Sequence, residues 1–498
     1  MEHHRLVLGV LLPGFSGTAA PSWLLDAARD GLAGVVLFAQ NTPDITTARS
    51  LTDALHRASE NLLVTIDEEG GDVSRLQAVD GSSLPGAAAF GAGEDPELTR
   101  RGGQALGSLL RAAGVDIDLA PVLDVASEPR NPVIGVRAFG ADPEEVASQG
   151  SAFITGLHEA GVAACAKHFP GHGATTVDSH LSLPTLESGA EVFTARDLPP
   201  FRTAAEAGLD SVMTGHLHVP ALGPAPASLE PAVTELVREL PGGEDIAIIT
   251  DALDMGAVAG AQQENFGEAC VRALEAGADL LCLGSTASRD DEAMFRAAYE
   301  AVRAALASGR LSPNVLTEAA GRAQTLRQRI HVHRANASEL TEEEALSAVR
   351  TVGAEAARRS VRAIHGRPAR SGTPVLMDLR RRINQAAGRI TPGFRRALQS
   401  RRPGAQVLTP ESPGALTQQL TGIETQAPVL ALTREPLADA EEQQMLDDLL
   451  TARPDTVVVH GGAAAGAPRP SAEGALILAH GVGLANAEAS LDLILGNA

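Results

Sequence analysis

The segment Lys167–His180 holds the densest group of side chains in this chain that can move a proton. It reads Lys-His-Phe-Pro-Gly-His-Gly-Ala-Thr-Thr-Val-Asp-Ser-His. Asp178 and His180 are two positions apart, so in extended backbone their side chains lie on one face. A carboxylate beside an imidazole fixes its tautomer and raises its basicity, which suits a general acid and base near neutral pH. We therefore predict that His180 transfers protons and that Asp178 orients it.

The same segment can also be interpreted as a metal site, because three of its histidines are potential ligands. These are His168, His172 and His180. Against this interpretation, the segment contains no cysteine, and Lys167 beside His168 would repel a cation. We expect no metal and no other cofactor.

A second acidic candidate, Asp251, directly follows the apolar residues Ile248 and Ile249 and Thr250. A carboxylate at the end of a buried strand is held rigidly enough to attack a carbon atom in line as a nucleophile. The alternative is that Asp251 caps the helix that follows. Position alone leaves both interpretations open.

Candidate binding residues follow three more apolar runs. Asp67 and Arg75 flank paired glycines and could share hydroxyl groups of a ligand, although such a loop more often holds a structural ion pair. Arg137 lies in a loop where a lone arginine is usually solvated or paired. His216 and His218 could bind a metal, but we expect one imidazole to face the site and the other to pack behind it.

Eight short apolar runs, separated by amphipathic stretches, would position these residues. The runs are Leu6–Leu12, Gly34–Phe38, Leu62–Asp67, Asp116–Val122, Val162–His168, Asp210–His216, Asp245–Asp251 and Ala278–Gly284. Most are continuously apolar, as expected for parallel strands that are buried on both faces. Eight strand–helix units predict a TIM-like (β/α)8 barrel, in which the carboxyl ends of the strands converge on one site.

The length of 498 residues predicts more than one domain. We predict a catalytic barrel over residues 1–330, a linker over 331–345 within a charged segment, about Arg327 to Glu344, that includes a bridging helix, and a smaller α/β layered sandwich domain over 346–498. The predicted elements of the last region are the strands Pro374–Met377, Val429–Ala431, Thr456–His460 and Ala475–Ala479 and the helix Ala438–Thr451.

The composition restricts the partners. With 40 Lys and Arg against 62 Asp and Glu, the net charge of −22 should repel nucleic acid and anionic membranes. The three cysteines lie in apolar settings and indicate reduced thiols and a cytoplasmic location. One Trp, one Tyr and eleven Phe are few for a protein that grips a long polysaccharide. We expect a small soluble ligand, and a monomer is compatible with the sequence.

Taken together, residues 1–330 resemble family 3 glycoside hydrolases, in their bacterial β-N-acetylglucosaminidase branch. Lys167–His180 carries the resemblance most specifically, and Asp67–Gly71, Ala120–Val125 and Thr250–Leu253 fall in the family's order. The resemblance implies that Asp251 is the nucleophile, that His180 is the acid/base, and that Asp178 is its partner. It implies that the N-acetylglucosamine unit is bound by the following residues: Asp67, Arg75, Arg137, Lys167 and His168, with Met213 and His216 lining the pocket.

The implied reaction is an exo-acting, retaining hydrolysis of terminal β-linked N-acetylglucosamine, either from cell-wall fragments or from chitin disaccharides. Because a neutral imidazole repels an incoming anion less than a carboxylate does, phosphate could replace water, and a phosphorylase is the first alternative. An inactive sugar-binding protein is the second. In β-glucosidase relatives the second domain supplies the acid/base; here we expect it to be dispensable for proton transfer.

Overall fold

The computed structural model describes residues 2–179, 182–260, 265–284, 290–381, 386 and 390–496. Its strands are β1 (Leu11–Leu12), β2 (Gly34–Leu37), β3 (Leu63–Ile66), β4 (Ile117–Asp118), β5 (Ala163–Phe169), β6 (Ser211–Thr214), β7 (Ala247–Thr250), β8 (Leu281–Cys282), β9 (Arg362–His365), β10 (Val375–Asp378), β11 (Gln406–Leu408), β12 (Val429–Thr433), β13 (Val457–His460) and β14 (Ala475–Leu478). Its helices are α1 (Glu2–Leu8), α2 (Ser22–Asp30), α3 (Ile45–Ala58), α4 (Ala87–Gly93), α5 (Pro96–Ala112), α6 (Pro143–Glu159), α7 (Ala190–Arg196), α8 (Pro199–Glu206), α9 (Pro231–Arg238), α10 (Gly256–Ala259), α11 (Phe266–Glu275), α12 (Asp291–Ala307), α13 (Pro313–Asn336), α14 (Glu342–Ser360), α15 (Gly393–Arg401), α16 (Pro413–Leu420), α17 (Ala440–Ala452) and α18 (Leu484–Leu495).

The first eight strands are parallel, as the sequence predicts. Strands β2 to β7 are neighbours in chain order, and β1 pairs with β8. The Val36 N–H donates to the Pro13 carbonyl (3.1 Å) beyond β1, and a parallel bridge joins Ile249 to Leu280. All residues of these strands are buried, which explains why most of them are apolar. Asp118, Lys167 and His168 are buried ionisable residues among them. The prediction of an α/β fold with a parallel sheet is confirmed.

The predicted first strand, Leu6–Leu12, is wrong over its first half. Helix α1 ends at Leu8, and only Leu11 and Leu12 pair with β8. Val7 and Leu8 are buried in the helix, where they belong to the same apolar cluster as Leu11. A short apolar run buries its side chains equally well as a helix or as a strand, so its periodicity does not separate the two.

Helix α13 contacts residues at the amino ends of three of the first eight strands. An aspartate precedes each of β4, β6 and β8, and each accepts a hydrogen bond from a backbone N–H of the preceding strand. Each is also bound by a basic side chain of α13. The backbone donors are Val64 to Asp116 (2.6 Å), Ala164 to Asp210 (3.0 Å) and Ile248 to Asp279 (2.8 Å). The partners on α13 are Arg334 for Asp116, His333 for Asp210 and Arg322 for Asp279. The carboxyl ends of the strands lie opposite this base and remain available for chemistry.

His158 joins His333 on the same carboxylate. The two rings stack with centroids 4.0 Å apart and an interplanar angle of 11°. Their Nε2 atoms lie 2.7 Å and 3.0 Å from different oxygens of Asp210. The in-plane lone pairs of parallel rings do not converge on one ion, whereas their N–H groups can each reach one oxygen. We therefore interpret this cluster as a hydrogen-bonded brace.

The C-terminal region forms a second sheet with the order β11-β10-β12-β13-β14-β9, in which only the β9–β14 pairing is antiparallel. Apolar clusters cover both of its faces, one of them including α15 and α18 and the other α16 and α17. The four predicted strands are all present. Both edge strands, β9 and β11, were missed, because residues of an exposed or half-buried edge need not be apolar.

Helix α14 connects the two sheets. Its first turn is capped by Thr341 and Glu344, its residues Ala345 and Val349 pack in the cluster of the first sheet, and Ala357 packs in that of the second. Most of the predicted linker 331–345 is therefore helical, and the domain limits stay a prediction. Across the described ranges, every helix is too short or too polar to span a bilayer.

Candidate active site

Lys167 lies at the centre of a buried charge cluster at the carboxyl ends of β3 and β5. Its Nζ is 2.6 Å from Asp67 Oδ1 and 2.7 Å from Glu69 Oε1. Burial lowers the pKa of the Lys167 ammonium, but the charges of Asp67 and Glu69 outweigh burial and hold it above its usual range. Burial likewise raises the pKa of Asp67, and Lys167 and Arg75 outweigh it, leaving that pKa below its ordinary value. All three groups are therefore charged at neutral pH.

Arg137 completes this cluster through a bidentate pair with Glu69. Its Nε and Nη2 donate to the two carboxylate oxygens at 2.9 Å and 2.8 Å. Burial raises the pKa of Glu69, but Arg137 and Lys167 outweigh it and lower it well below its usual range. Of the two ordinary interpretations of a lone arginine, solvated or paired, the second applies, because Arg137 and Glu69 are both buried. Such a fork fixes the guanidinium plane.

His168 is oriented by Asp124, which follows β4. His168 Nδ1 lies 2.7 Å from Asp124 Oδ2, and Asp124 Oδ1 accepts the backbone N–H groups of His168 (3.2 Å) and His172 (2.6 Å). A carboxylate acceptor at Nδ1 requires the proton there, which leaves Nε2 as an acceptor in the neutral ring. That Nε2 lies 3.4 Å from Arg137 Nη2. With the Lys167 and Arg137 charges beside it, this ring is poorly placed to bind a metal cation.

His172 is a buried neutral ring on the same loop. Its Nδ1 lies 2.8 Å from the hydroxyl oxygen of Thr175. Burial lowers the pKa of His172 to about 4, against the opposing effect of Asp124. Asp251 acts electrostatically on the same ring, so the loop after β5 and the end of β7 are close together.

Asp251 extends the pairing of β6 with β7, because its N–H donates to the Thr214 carbonyl (2.9 Å). Its Oδ1 accepts the N–H of Ala252 (2.8 Å). The next helix, α10, begins at Gly256 and has Met255 at its N-cap. The alternative that Asp251 caps the following helix is therefore wrong.

His216 packs behind this strand end. It is completely buried, its Nε2 donates to the Ala252 carbonyl (2.9 Å), and its Nδ1 lies 2.6 Å from Ser228 Oγ. These contacts hold the peptide that follows Asp251. Met213, on β6, packs among the side chains inside the sheet and is 3% exposed. Pocket-lining roles for His216 and Met213 stay predictions.

Arg75 belongs to the cluster and also contacts the C-terminal region. Its Nη2 lies 3.4 Å from Asp67 Oδ2 and donates to the Ala386 carbonyl at 2.6 Å. Its backbone N–H donates to Glu68 Oε2 (2.7 Å), which closes the loop after β3. The ion pair that the sequence suggested is present, and a role in binding stays a prediction.

Of the predicted proton-transfer pair, Asp178 and His180, the structure describes only Asp178. Asp178 is half-buried, and its carbonyl accepts the N–H of Ser182 (3.1 Å). His180 lies outside the described residues, so the pairing of the two side chains stays a prediction.

Two residues of the cluster, Glu69 and Asp124, received no role from the sequence. Both follow the ends of predicted strands, and Glu69 is two residues from Asp67, which did receive a role. The available signal was the run Asp67-Glu68-Glu69, since three adjacent acids at a strand end need cationic partners.

Comparisons with known proteins show which family the chain resembles. Residues 20–326 match the family model described as the glycosyl hydrolase family 3 N-terminal domain. A beta-hexosaminidase from Thiobacillus denitrificans (strain ATCC 25259 / T1) is 36% identical over 304 residues, which cover 58% of this chain and 82% of that protein.

Two solved structures are also similar. A glycoside hydrolase family 3 beta-N-acetylglucosaminidase from Paenibacillus sp. str. FPU-7 has a TM-score of 0.83 at 29% identity, and the match covers 99% of this chain and 97% of that one. A family 3 glycosyl hydrolase from Mycobacterium smegmatis str. MC2 155 has a TM-score of 0.57 at 33% identity, covering 65% of this chain and 96% of that one. About a third of this chain thus has no counterpart in the shorter structure.

Proposed function

Because the chain belongs to glycosyl hydrolase family 3, we propose that it is a retaining, exo-acting β-N-acetylglucosaminidase that acts on small glycans. That it is a glycoside hydrolase follows from the family and from its curated relatives. The observation that supports the proposed specificity most is the buried cluster around Lys167 and Glu69. Its charges are compensated, so it offers directed hydrogen bonds to a neutral sugar and no large net field.

In the proposed mechanism, Asp251 attacks the anomeric carbon while protonated His180 donates a proton to the leaving oxygen. The C–O bond to the leaving group breaks, and a glycosyl-enzyme ester forms with inverted configuration. Neutral His180 then takes a proton from water, whose oxygen displaces Asp251 and restores the β-configuration. Asp178 orients His180, and Asp67, Arg75, Arg137, Lys167 and His168 bind the N-acetylglucosamine unit.

The proposal includes a closed TIM-like barrel over residues 1–330 and a separate α/β domain over 346–498. Closure is supported by the hydrogen bond from Val36 to Pro13 and by the bridge from Ile249 to Leu280. The C-terminal domain supplies no group for proton transfer in this scheme.

The proposed natural substrates are small cell-wall fragments, met during peptidoglycan recycling in the bacterial cytoplasm, or chitin disaccharides. The names of the curated relatives, beta-hexosaminidases of bacteria, support the acetamido sugar. Three buried, unpaired thiols support a reducing compartment. Initial rates on a muropeptide fragment, on chitobiose and on an aryl glucoside would rank the substrates.

The nucleophile is tested by Asp251→Asn with Asp245→Asn as the matched control, because the exposed Asp245 precedes the same strand. With an aryl β-N-acetylglucosaminide, D251N should lose kcat by about a thousandfold or more, whereas D245N should keep the parent rate. NMR of the first product should give the β-anomer. Activity of D251N near the parent rate, or an α-anomer, would overturn the mechanism. Release of a sugar 1-phosphate in phosphate buffer would identify a phosphorylase instead.

A further inference from the structure

The loop after β3 contains a tight hairpin, residues 69–73, that begins with the acidic residue Glu69 and has a second one, Asp72, next to its last residue. The Glu69 N–H donates to the Val73 carbonyl (3.0 Å), and the Val73 N–H donates to the Gly70 carbonyl (3.2 Å). Gly70 and Gly71 make the turn with φ of 75° and 56°, the left-handed region that favours glycine. Glu69 points into the active-site cluster, and Asp72 contacts the C-terminal region.

Asp72 is bound by two groups of the C-terminal region. Its Oδ1 accepts the Val482 N–H (2.9 Å), and its Oδ2 lies 3.4 Å from Arg434 Nη1. The side chains of Asp72 and Arg434 are only 2% and 8% exposed. A buried ion pair contributes little net stability, but removing one partner is costly, so such a pair is suited to fixing one particular arrangement.

Backbone contacts also join the hairpin, and Ser82 farther along the same loop, to the C-terminal region. The Leu484 N–H, at the start of α18, donates to the Ser82 carbonyl (3.0 Å). A Cβ added to Gly483 would lie 3.3 Å from the Gly71 Cα, so the two backbones pack directly on each other. The hairpin therefore has little room to shift without breaking these contacts.

We propose that the C-terminal region positions the sugar-binding cluster by holding Asp72, with Arg434 as a positioning residue. This inference rests on the proposed function, since it assumes that the cluster binds the sugar. Glu69 is three residues from Asp72 and is shared by Lys167 and Arg137. A shift of the hairpin moves Glu69 and disturbs both cations, and small displacements in a binding site carry large losses.

The test compares Arg434→Gln and Asp72→Asn with Arg396→Gln. Arg396 pairs with Asp80 between the same two regions, but both side chains are about half exposed (50% and 58%), so this ion pair should contribute little. For R434Q and D72N we expect KM for the aryl N-acetylglucosaminide and Ki for free N-acetylglucosamine to rise about 5- to 20-fold. In both variants kcat should stay within about threefold and the pH profile should keep its shape, because the proton-transfer residues lie on another loop. R434K should recover part of the affinity, and R396Q should match the parent.

Hydrogen exchange separates this inference from the proposed function. The amides of Glu69 and Val73 donate within the hairpin, and that of Gly71 donates to the Leu84 carbonyl. All three should exchange faster in R434Q and D72N than in R396Q. If exchange rises but the parent does not act on N-acetylglucosaminides, the proposed function fails while the positioning contact stands.

Folded D72N with unchanged KM, Ki and exchange would overturn the inference. D72N decides the outcome even if R434Q is insoluble, because it keeps the shape of the side chain and an acceptor for Val482.

Discussion

Asp124 accepts a hydrogen bond from the Nδ1–H group of His168 at 2.7 Å, and this contact determines which nitrogen of the ring is available to the site. The Nε2 atom is left to accept a hydrogen bond beside Arg137. The same carboxylate also accepts two backbone N–H groups from the loop that carries the Lys167–His180 segment. The same side chain of Asp124 thus fixes the tautomer of His168 and holds the backbone of the loop at His168 and His172.

Replacement of Asp124 by Asn tests this coupling. An amide has one acceptor oxygen, so its NH2 group must face at least one of the three donors. We expect kcat/KM to fall about 10- to 100-fold, as for other residues that orient a functional histidine, and the thermal midpoint to drop. Steady-state kinetics and calorimetry would measure both effects, and parent-like values in both would show that Asp124 orients nothing.

Lys167→Met tests the charge balance of the cluster. It leaves the buried Glu69 and the half-buried Asp67 without their shared ammonium, which should cost about 3–5 kcal/mol of unfolding free energy at pH 7. Urea unfolding at pH 7 would measure this loss. A loss below about 1 kcal/mol would mean that the two carboxylates are better solvated than the contacts indicate.

The pH dependence of the same variant has a definite sign. Folding lowers the pKa of Asp67 and of Glu69, so their contribution to stability is complete above the ordinary carboxylate pKa of about 4 and is lost as the pH falls below it. The parent should lose stability through this range. K167M should lose less stability over this pH range. Without Lys167 the folded state stabilises the anionic form of the two carboxylates less, so protonating them costs less. Parallel curves of unfolding free energy against pH would contradict this expectation.

Asp210→Asn tests the base of the sheet. Asp210 is completely buried and accepts hydrogen bonds from His158, His333 and the Ala164 N–H. In D210N the NH2 group of the new amide would face one of these N–H groups, and neither could find an acceptor. We expect a loss of about 2–3 kcal/mol of unfolding free energy, with kcat and KM of the folded enzyme unchanged. If KM changed under conditions in which the variant is fully folded, the amino ends of the strands would influence substrate binding at their carboxyl ends.

A pair of glycines tests the packing of α5 against α6. A Cβ added to Gly156 would lie 2.0 Å from the Arg100 carbonyl oxygen, whereas one added to Gly321 in α13 meets nothing within 4 Å. Gly156→Ala should therefore destabilise by about 2 kcal/mol or more through forced separation of the helices. Gly321→Ala should stabilise by about 0.5–1 kcal/mol through helix propensity alone. The two thermal midpoints should move in opposite directions.

The sequence predicted the first sheet well because its strands are buried on both faces and most of their residues are therefore apolar. It failed at the apolar residues Leu6–Leu8, which form the end of helix α1 instead of a strand, and at β9, which is exposed along its whole length. The family, read from the Lys167–His180 segment and three shorter ones, is confirmed over residues 20–326.

The sequence named several of the residues that the structure brings together, but it did not predict their contacts. Asp67 and Lys167 were both named, but Glu69 as the residue shared by Lys167 and Arg137 depends on how three loops meet, and no local pattern records that. The contact of Arg75 with Ala386 joins residues 311 positions apart. The role of His180 rests on its spacing from Asp178 and on the family resemblance, since His180 lies outside the described residues.

The base of the sheet has a consequence for the order in which the molecule is assembled on the ribosome. Arg334 reaches Asp116 across 218 positions, and His333 reaches Asp210 across 123. Both aspartates emerge long before the helix that neutralises them. The early strands therefore carry acidic ends without these partners until about residue 336 has been made, so completion of the base is one of the last events before the C-terminal region follows.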